Sequence, residues 1–571
     1  MPRLPSLAIP LPNRRDLIAL TLLLGLILLI VQASHRMAVP FQPGQVLPIS
    51  LSPLALPEYA LYTVLRMLAA LLVSLLFTFG YAILAAKNRY AEKILIPLLD
   101  VLQSVPILGY LSITVTGFMA LFPGSLLGLQ LAVIFAVFTS QVWNMIFSLY
   151  MSLKTVPKEL QEAAALYRLN GWQRFWKLEL PFAMPGLIWN TMMSMSGGWF
   201  FVVAAEAITV AGQRVMVPGI GSYIATAITQ RDLGAIFWAI AAMLLVILLY
   251  DWLLFRPLVA WADKFKQETV TGDTAPRSSV RTFLQRTRLL RWALLLPAVL
   301  WEWSVRILPP PSFRHHPLHP DWERWIDRAL VALLALGGAA ALWALWRFLP
   351  AEFGWREVLH VLFLGLLTAT RVFVLVLLSS LLWVPVGVWI GLRPRMARRV
   401  QPLAQFLAAF PANLFFPLVV VLIIHFHLNV NIWTSPLMIL GSQWYILFNV
   451  IGGASALPND LLEITRNLGV RGWQLWRRLL LPAVFPAYVT GAITASGGAW
   501  NASIVAEVVS WGKHTLVAKG LGAFITEATA RGNLHQVALG VGVMSLFVII
   551  INRLFWRRLY RLAETRWRLD Y

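Results

Sequence analysis

The chain contains no cysteine, and only 13% of its 571 residues are charged, against roughly a quarter in an average soluble domain. Without cysteine there is no disulfide, no thiolate metal site and no cysteine nucleophile. With 59% of residues hydrophobic, so few charges exclude a disordered chain. They also weigh against a soluble enzyme, whose fold could not hide that much apolar surface. Acids are scarcer than bases: 25 Asp and Glu stand against 47 Lys and Arg, a net charge of +22. In a soluble protein that excess would suggest nucleic acid. In a membrane protein its distribution along the chain decides its meaning.

Apolar runs near the roughly 20 residues needed to cross a bilayer recur throughout. In the first half they are Leu17–Ala33, Tyr59–Ala86, Ile94–Phe122, Leu126–Leu149, Phe182–Val210 and Gly234–Leu258. In the second they are Arg328–Leu349, Val361–Leu392, Gln401–Phe426, Ile432–Gly453, Ala483–Trp511 and Gln536–Arg553. Val31-Gln32-Ala33 has the look of a signal-peptide cleavage site, but the topology needs this segment as a span. The apolar stretch Trp292–Leu308 is short and interrupted by Glu302 and Arg306, and is expected to be interfacial or re-entrant. The fold class predicted is thus an all-α polytopic membrane protein of about twelve transmembrane helices plus one such segment. The polar stretch 263–291 reads as a linker between a first repeat, 1–262, and a second, 292–571.

The basic clusters all fall on one side of this topology. They are Arg14/Arg15, Lys87/Arg89/Lys93, Lys154–Lys177, Lys264–Arg291, Arg393–Arg399, Arg466–Arg478 and the tail from Arg553. The positive-inside rule puts that side, with both termini, in the cytoplasm. This accounts for the charge without nucleic acid.

The two halves repeat one another. A shift of 301 residues superposes Pro157 on Pro458, Glu162 on Glu463, Gly171-Trp172-Gln173 on Gly472-Trp473-Gln474 and Leu180-Pro181 on Leu481-Pro482. It also superposes Trp199 on Trp500, Glu206 on Glu507, Gly219 on Gly520 and Gly221 on Gly522. A shift of 305 aligns Arg66 with Arg371 and Pro106 with Pro411. Matching loops lie on the same face, so the repeats are parallel, unlike inverted-repeat transporters.

The best-matching segments run Glu162-Ala163-Ala164…Arg168…Gly171…Leu180-Pro181 and Glu463-Ile-Thr…Gly469…Gly472…Leu481-Pro482. Each reads as a short helix with an acid near its N-terminus, a break, an amphipathic basic helix, and a Pro that restarts the chain into the membrane. In spacing from Glu to Pro both resemble the EAA loop of type I ABC importer permeases. The first half departs at Arg168, where that family has Gly; the second departs at the two alanines. Ser496-Gly-Gly-Ala-Trp500, Ala506-Glu507 and Gly520-Leu-Gly522 resemble the nitrate/sulfonate/taurine/bicarbonate branch of those permeases. The resemblance implies loops that dock on two separate ABC ATPase subunits, which hold ATP and Mg. It also implies a periplasmic or lipid-anchored solute-binding protein, an inner-membrane location and a small-anion solute. The chain has no Gly-x-x-x-x-Gly-Lys-[Ser/Thr] segment, so it is expected to bind no cofactor and to be no enzyme itself.

An ionised side chain inside a span costs at least about 2.5–3.5 kcal/mol and needs a partner or a purpose. Four stand out: Arg66 and Arg371 in the second spans of each half, and Glu206 and Glu507 in the fifth. They are expected to form Arg–Glu pairs that brace the outer part of the pathway, each arginine with one of the two glutamates. Snorkelling to the interface is the alternative. His360, His425 and His427 lie near membrane edges with no metal-site spacing, so no metal is expected. The rival function is an ion-coupled secondary transporter or channel, for which only Glu206 and Glu507 could serve as relay acids. A membrane enzyme would need an acid/base or metal cluster that the sequence does not display.

Overall fold

The computed structural model of the chain describes residues 13–37, 48–210, 213–265, 278–288 and 353–566, with scattered positions besides. The predicted segment Trp292–Leu308, the predicted span Arg328–Leu349 and most of the linker lie outside the described residues. What is described is an all-α polytopic membrane protein. Among the described residues, six helices are long and apolar enough to cross a bilayer, and three bent pairs bring the number to nine.

The first half opens with helix Arg14–Met37, which contains the predicted span Leu17–Ala33. Three long helices then form its core: an arginine helix (Leu56–Lys87), a central helix (Leu126–Lys154) and a glutamate helix (Leu180–Ala205). The second half repeats this with an arginine helix (Trp355–Gly391), a central helix (Gln443–Ser455) and a glutamate helix (Leu481–Ala506). Each half ends in another long helix, Leu233–Tyr250 or Leu534–Ile551. Their starts are fixed by equivalent caps: Asp232 Oδ1 accepts the Ala235 N–H and Asn533 Oδ1 the Gln536 N–H. Trp199 and Trp500, at equivalent positions in the glutamate helices, are among the largest fully buried side chains.

Three features depart from the sequence reading. The third spans of each half and the fourth span of the second, Ile432–Gly453, are not single helices; in the last, Val430–Ile439 meets Gln443–Ser455 at 42°. Arg89–Leu102 and Ile107–Leu121 meet at 101°, and Pro394–Ala409 meets the segment 412–425 at 76°. Pro106 and Pro411 supply the reason, because each is extended, lacks an N–H and pushes its predecessor out of the helical region. The fifth spans do not continue to Val210 and Trp511. Both helices stop at the residue before the glutamate, and the chain folds into antiparallel hairpins, Ala207–Val210 with Gln213–Met216 and Val508–Trp511 with His514–Val517. The Val217 and Ala518 N–H groups donate back to the carbonyls of Glu206 and Glu507 (3.0 and 2.8 Å) and close the loops. Finally, Pro181 and Pro482 do not restart the chain. One turn of π-helix, Phe175–Glu179 or Trp476–Leu480, joins the short helix before it to the glutamate helix, and the proline falls in the first turn that follows, where its missing N–H costs least.

The halves meet along their broken helices. Pro394–Ala409 packs on the glutamate helix of the first half, and Ile107–Leu121 lies against Leu481–Ala506, Leu521–Ala530 and Leu534–Ile551 of the second. At the hairpin end, the Gly512 N–H donates to the Ile228 carbonyl across the divide (2.9 Å).

Candidate functional site

Each repeated loop builds the same backbone from different residues. Helices Lys158–Leu166 and Asn459–Asn467 both end in a left-handed turn, at Arg168 (φ 50°) and Gly469 (φ 67°). The same pair of bonds closes it: Arg168 N–H to Ala165 and Leu169 N–H to Ala164 in the first, Gly469 N–H to Arg466 and Val470 N–H to Thr465 in the second. Arg168 thus holds the shape that glycine adopts freely. Glu162 and Glu463 are the fifth residues of their nine-residue helices and are exposed. The acids placed in the first turn, where the helix dipole favours them, are Glu159 and Asp460. Ala164 is buried and Ala163 half-buried, so the small residues face the body of the protein.

Gly171 and Gly472 then begin four-residue helices. Asn170 and Gln173 form a reciprocal capping box on the first (2.8 and 3.3 Å). The second has Arg471 at the cap and relies instead on Gly472 at φ 57°. Leu180-Pro181 and Leu481-Pro482 lead into the glutamate helices. Apolar side chains stand out on these loops, Leu166 and Tyr167 on the first and Leu468 and Trp473 on the second, each more than 70% exposed.

Beneath the first loop lies an ionic cluster not foreseen from the sequence. Glu179, buried in the π turn, accepts from Lys87 Nζ at the end of the arginine helix (2.5 and 2.6 Å) and from Arg174 Nε (2.7 Å). The equivalent positions of the second half are Leu392, Leu475 and Leu480, and these three pack together in one apolar cluster.

At the other end of each half, the arginine and glutamate helices are joined by a buried ion pair. Arg66 Nη1 donates to Glu206 Oε1 (2.6 Å), Nε to Gln130 Oε1 (2.6 Å) and Nη2 to the Pro218 carbonyl (2.7 Å). Thr63 Oγ1 donates to the same carboxylate oxygen (2.7 Å), and the Gly221 N–H donates to the other (2.7 Å). Arg66, Thr63 and Glu206 are all fully buried. In the second half, Thr368 Oγ1 donates to Glu507 Oε1 (2.8 Å), the Ala523 N–H to Oε2 (3.0 Å), and Arg371 Nη1 to Oε1 at 3.2 Å. Arg371 Nη2 reaches Asn431 Oδ1 at 3.4 Å, and the arginine side chain is 16% exposed. Both pairs therefore form within one half, and neither glutamate snorkels. Gly219 and Gly520 have extended backbones that any residue could adopt. They are glycine because a methyl group there would collide with the Glu206 or Glu507 carboxylate.

The threonines and carboxamides of these clusters were legible, had the repeat been followed further. The shift that aligns the arginines also aligns Thr63 with Thr368, one helical turn earlier, and the shift of 301 aligns Gln130 with Asn431.

Comparison with known proteins agrees with the repeat. The family of binding-protein-dependent transport system inner membrane components matches twice, over residues 78–256 and 383–569. The bicarbonate transport system permease protein of Synechocystis sp. is 27% identical over 177 residues, 31% of this chain and 60% of the relative. The nitrate import permease protein of Leptolyngbya laminosa is 26% identical over 188 residues, covering 32% and 62%. The glycine betaine/carnitine transport permease protein of Listeria monocytogenes is 29% identical over 207 residues, covering 36% and 66%. The chain spans roughly 60% of the length of the first curated relatives it matches.

Proposed function

The chain belongs to the family of binding-protein-dependent transport system inner membrane components, and from that premise we propose that it is the permease subunit of an ATP-driven importer, two fused halves with the solute pathway between them. The observation that carries this reading is the pair of loops of one backbone shape at repeated positions, each presenting exposed apolar residues beside basic ones. Two ATPase subunits holding ATP and Mg dock there, one on Glu162–Pro181 and one on Glu463–Pro482. The basic loops and both termini face the cytoplasm, and a binding protein delivers the solute at the hairpin end. ATP-driven closure of the subunits rotates the halves between inward- and outward-facing states.

The solute is a small oxyanion of the nitrate or bicarbonate kind, in line with what two of the relatives are named for carrying. A second reading, a zwitterionic betaine, draws on the third. Purifying the tagged chain tests the first claim: an ATPase should co-purify, and Glu162→Lys with Glu463→Lys should release it and stop uptake. Uptake of labelled nitrate, bicarbonate and betaine in membranes expressing the transporter decides the second.

A further inference from the structure

Resting on the reading of the chain as a permease, we infer that its solute-facing wall is one-sided. It is formed by a polar stripe on the glutamate helix of the second half, Thr490, Thr494, Gly497 and Asn501, while the equivalent stripe of the first half is bridged to the second half by bulky apolar side chains.

The stripe follows from helix geometry. At 100° per residue, positions 490, 494, 497, 501 and 504 fall within an arc of about 80°. The upper part of that arc touches the first half. Asn501 Oδ1 accepts the Ile107 N–H (2.8 Å), at the break after Pro106, and Ile504 approaches Gly109. The lower part of the same face therefore points toward the first half as well, yet among the described residues no side chain is seen to cover it. Thr490 and Thr494 are exposed, and a Cβ placed on Gly497 would meet no atom within 4 Å.

The repeat supplies the contrast. The positions equivalent to 490, 494, 497 and 501 are Trp189, Met193, Ser196 and Phe200, and the Ser196 hydroxyl is buried and spent on the Met192 carbonyl. Trp189 stacks on Phe448 of the second half (5.6 Å, 25°), Met193 packs into the apolar cluster around Phe448 and Ile451, and the neighbouring Gly197 lies against the Tyr445 hydroxyl. Trp189 keeps 39% of its surface exposed, but side chains of both halves bridge that seam, whereas among the described residues the hydroxyls of Thr490 and Thr494 bond only within their own helix.

Leu481–Ala506 carries no charged residue, so the wall offers hydroxyl and amide groups alone. Thr490 and Thr494 donate at present to backbone carbonyls one turn back, Pro486 and Thr490. A hydroxyl rotates freely, so each can turn to a passing oxygen acceptor. Such donors suit an oxyanion or carboxylate that must be held weakly enough to leave.

The chain's lack of cysteine makes the test direct. Thr490→Cys, Thr494→Cys and Gly497→Cys each introduce a single thiol into the full chain, to be assayed in native membranes with a charged methanethiosulfonate, which needs water and a thiolate. Met193→Cys, in the bridged seam, and Leu377→Cys, exposed on the second arginine helix, are the references. Wall positions should react at least about tenfold faster than either reference, and millimolar nitrate, bicarbonate or glycine betaine should slow them. Reaction no faster than at Leu377→Cys would mean that the stripe faces lipid and overturns the inference. Fast reaction that none of the three solutes slows would overturn its role in holding solute. Gly497→Cys covers the case in which a threonine variant does not fold. Labelling needs no transport, so fast labelling with no ATP-driven uptake would remove the proposed function and leave the wall standing.

Discussion

The junction beneath the first loop and its counterpart beneath the second do one mechanical task with opposite chemistry. In the first, Lys87 and Arg174 clamp a buried Glu179; in the second, Leu392, Leu475 and Leu480 pack together. Both hold the π turn against the end of an arginine helix, and the backbones match. A satisfied buried ion cluster and a well-packed apolar one are close in stability, but they fail differently. The ionic version depends on every member being present, and the apolar version loses stability in proportion to the volume removed. The buried Arg–Glu pairs offer a second contrast, since Arg66 is sealed and held by three acceptors while Arg371 is looser and partly exposed.

The strongest way to break this comparison is at the ion pairs. Glu206→Gln leaves Arg66 buried without a counter-charge, and a loss of about 3–5 kcal/mol is expected, seen as loss of monodisperse protein on size-exclusion chromatography. Glu507→Gln should be milder because Arg371 already reaches solvent. If the second variant proved the more damaging, the distinction between a tight and a loose clamp would fail. Next in size, Leu480→Ala should cost about 2–5 kcal/mol as a cavity, read from the thermal midpoint in detergent. Glu179→Gln should cost about 1.5–3 kcal/mol, the value of hydrogen bonds to a charged group. The triple variant Lys87→Leu/Arg174→Leu/Glu179→Leu, which copies the second half, should recover most of that loss. A triple variant worse than the single one would show that the two junctions are not interchangeable. The smallest effect is at the loop turns. Arg168→Gly should stabilise by about 1 kcal/mol and Gly469→Ala destabilise by a similar amount, since only glycine adopts the left-handed turn without cost.

Much of this was legible in the sequence because each half annotates the other. Arg66 and Arg371 stood out as ionised residues within apolar runs, and Glu206 and Glu507 recur at one offset; burial left them few partners. The loops were legible for the same reason. What escaped were features that depend on distant contacts or on a register shift. Nothing local marks Glu179 as a buried acid, because its partner Lys87 lies 92 residues away. The π turns leave no mark on hydrophobic periodicity. Pro106 reads equally as a kink or a break, and the 101° bend is settled by packing. The hairpins after Glu206 and Glu507 were absorbed into the spans because Ala207–Val210 and Val508–Trp511 are as apolar as the helices before them.

The bond from the Ile107 N–H to Asn501 Oδ1 gives the seam between the halves the property of a detent. It is short and directional, and it satisfies a helix-end donor that has no partner within its own half. A small slide of one half over the other breaks it outright and leaves a polar group bare, at about 1–3 kcal/mol. Sliding the halves out of this register therefore costs one discrete step of that size on top of any packing lost.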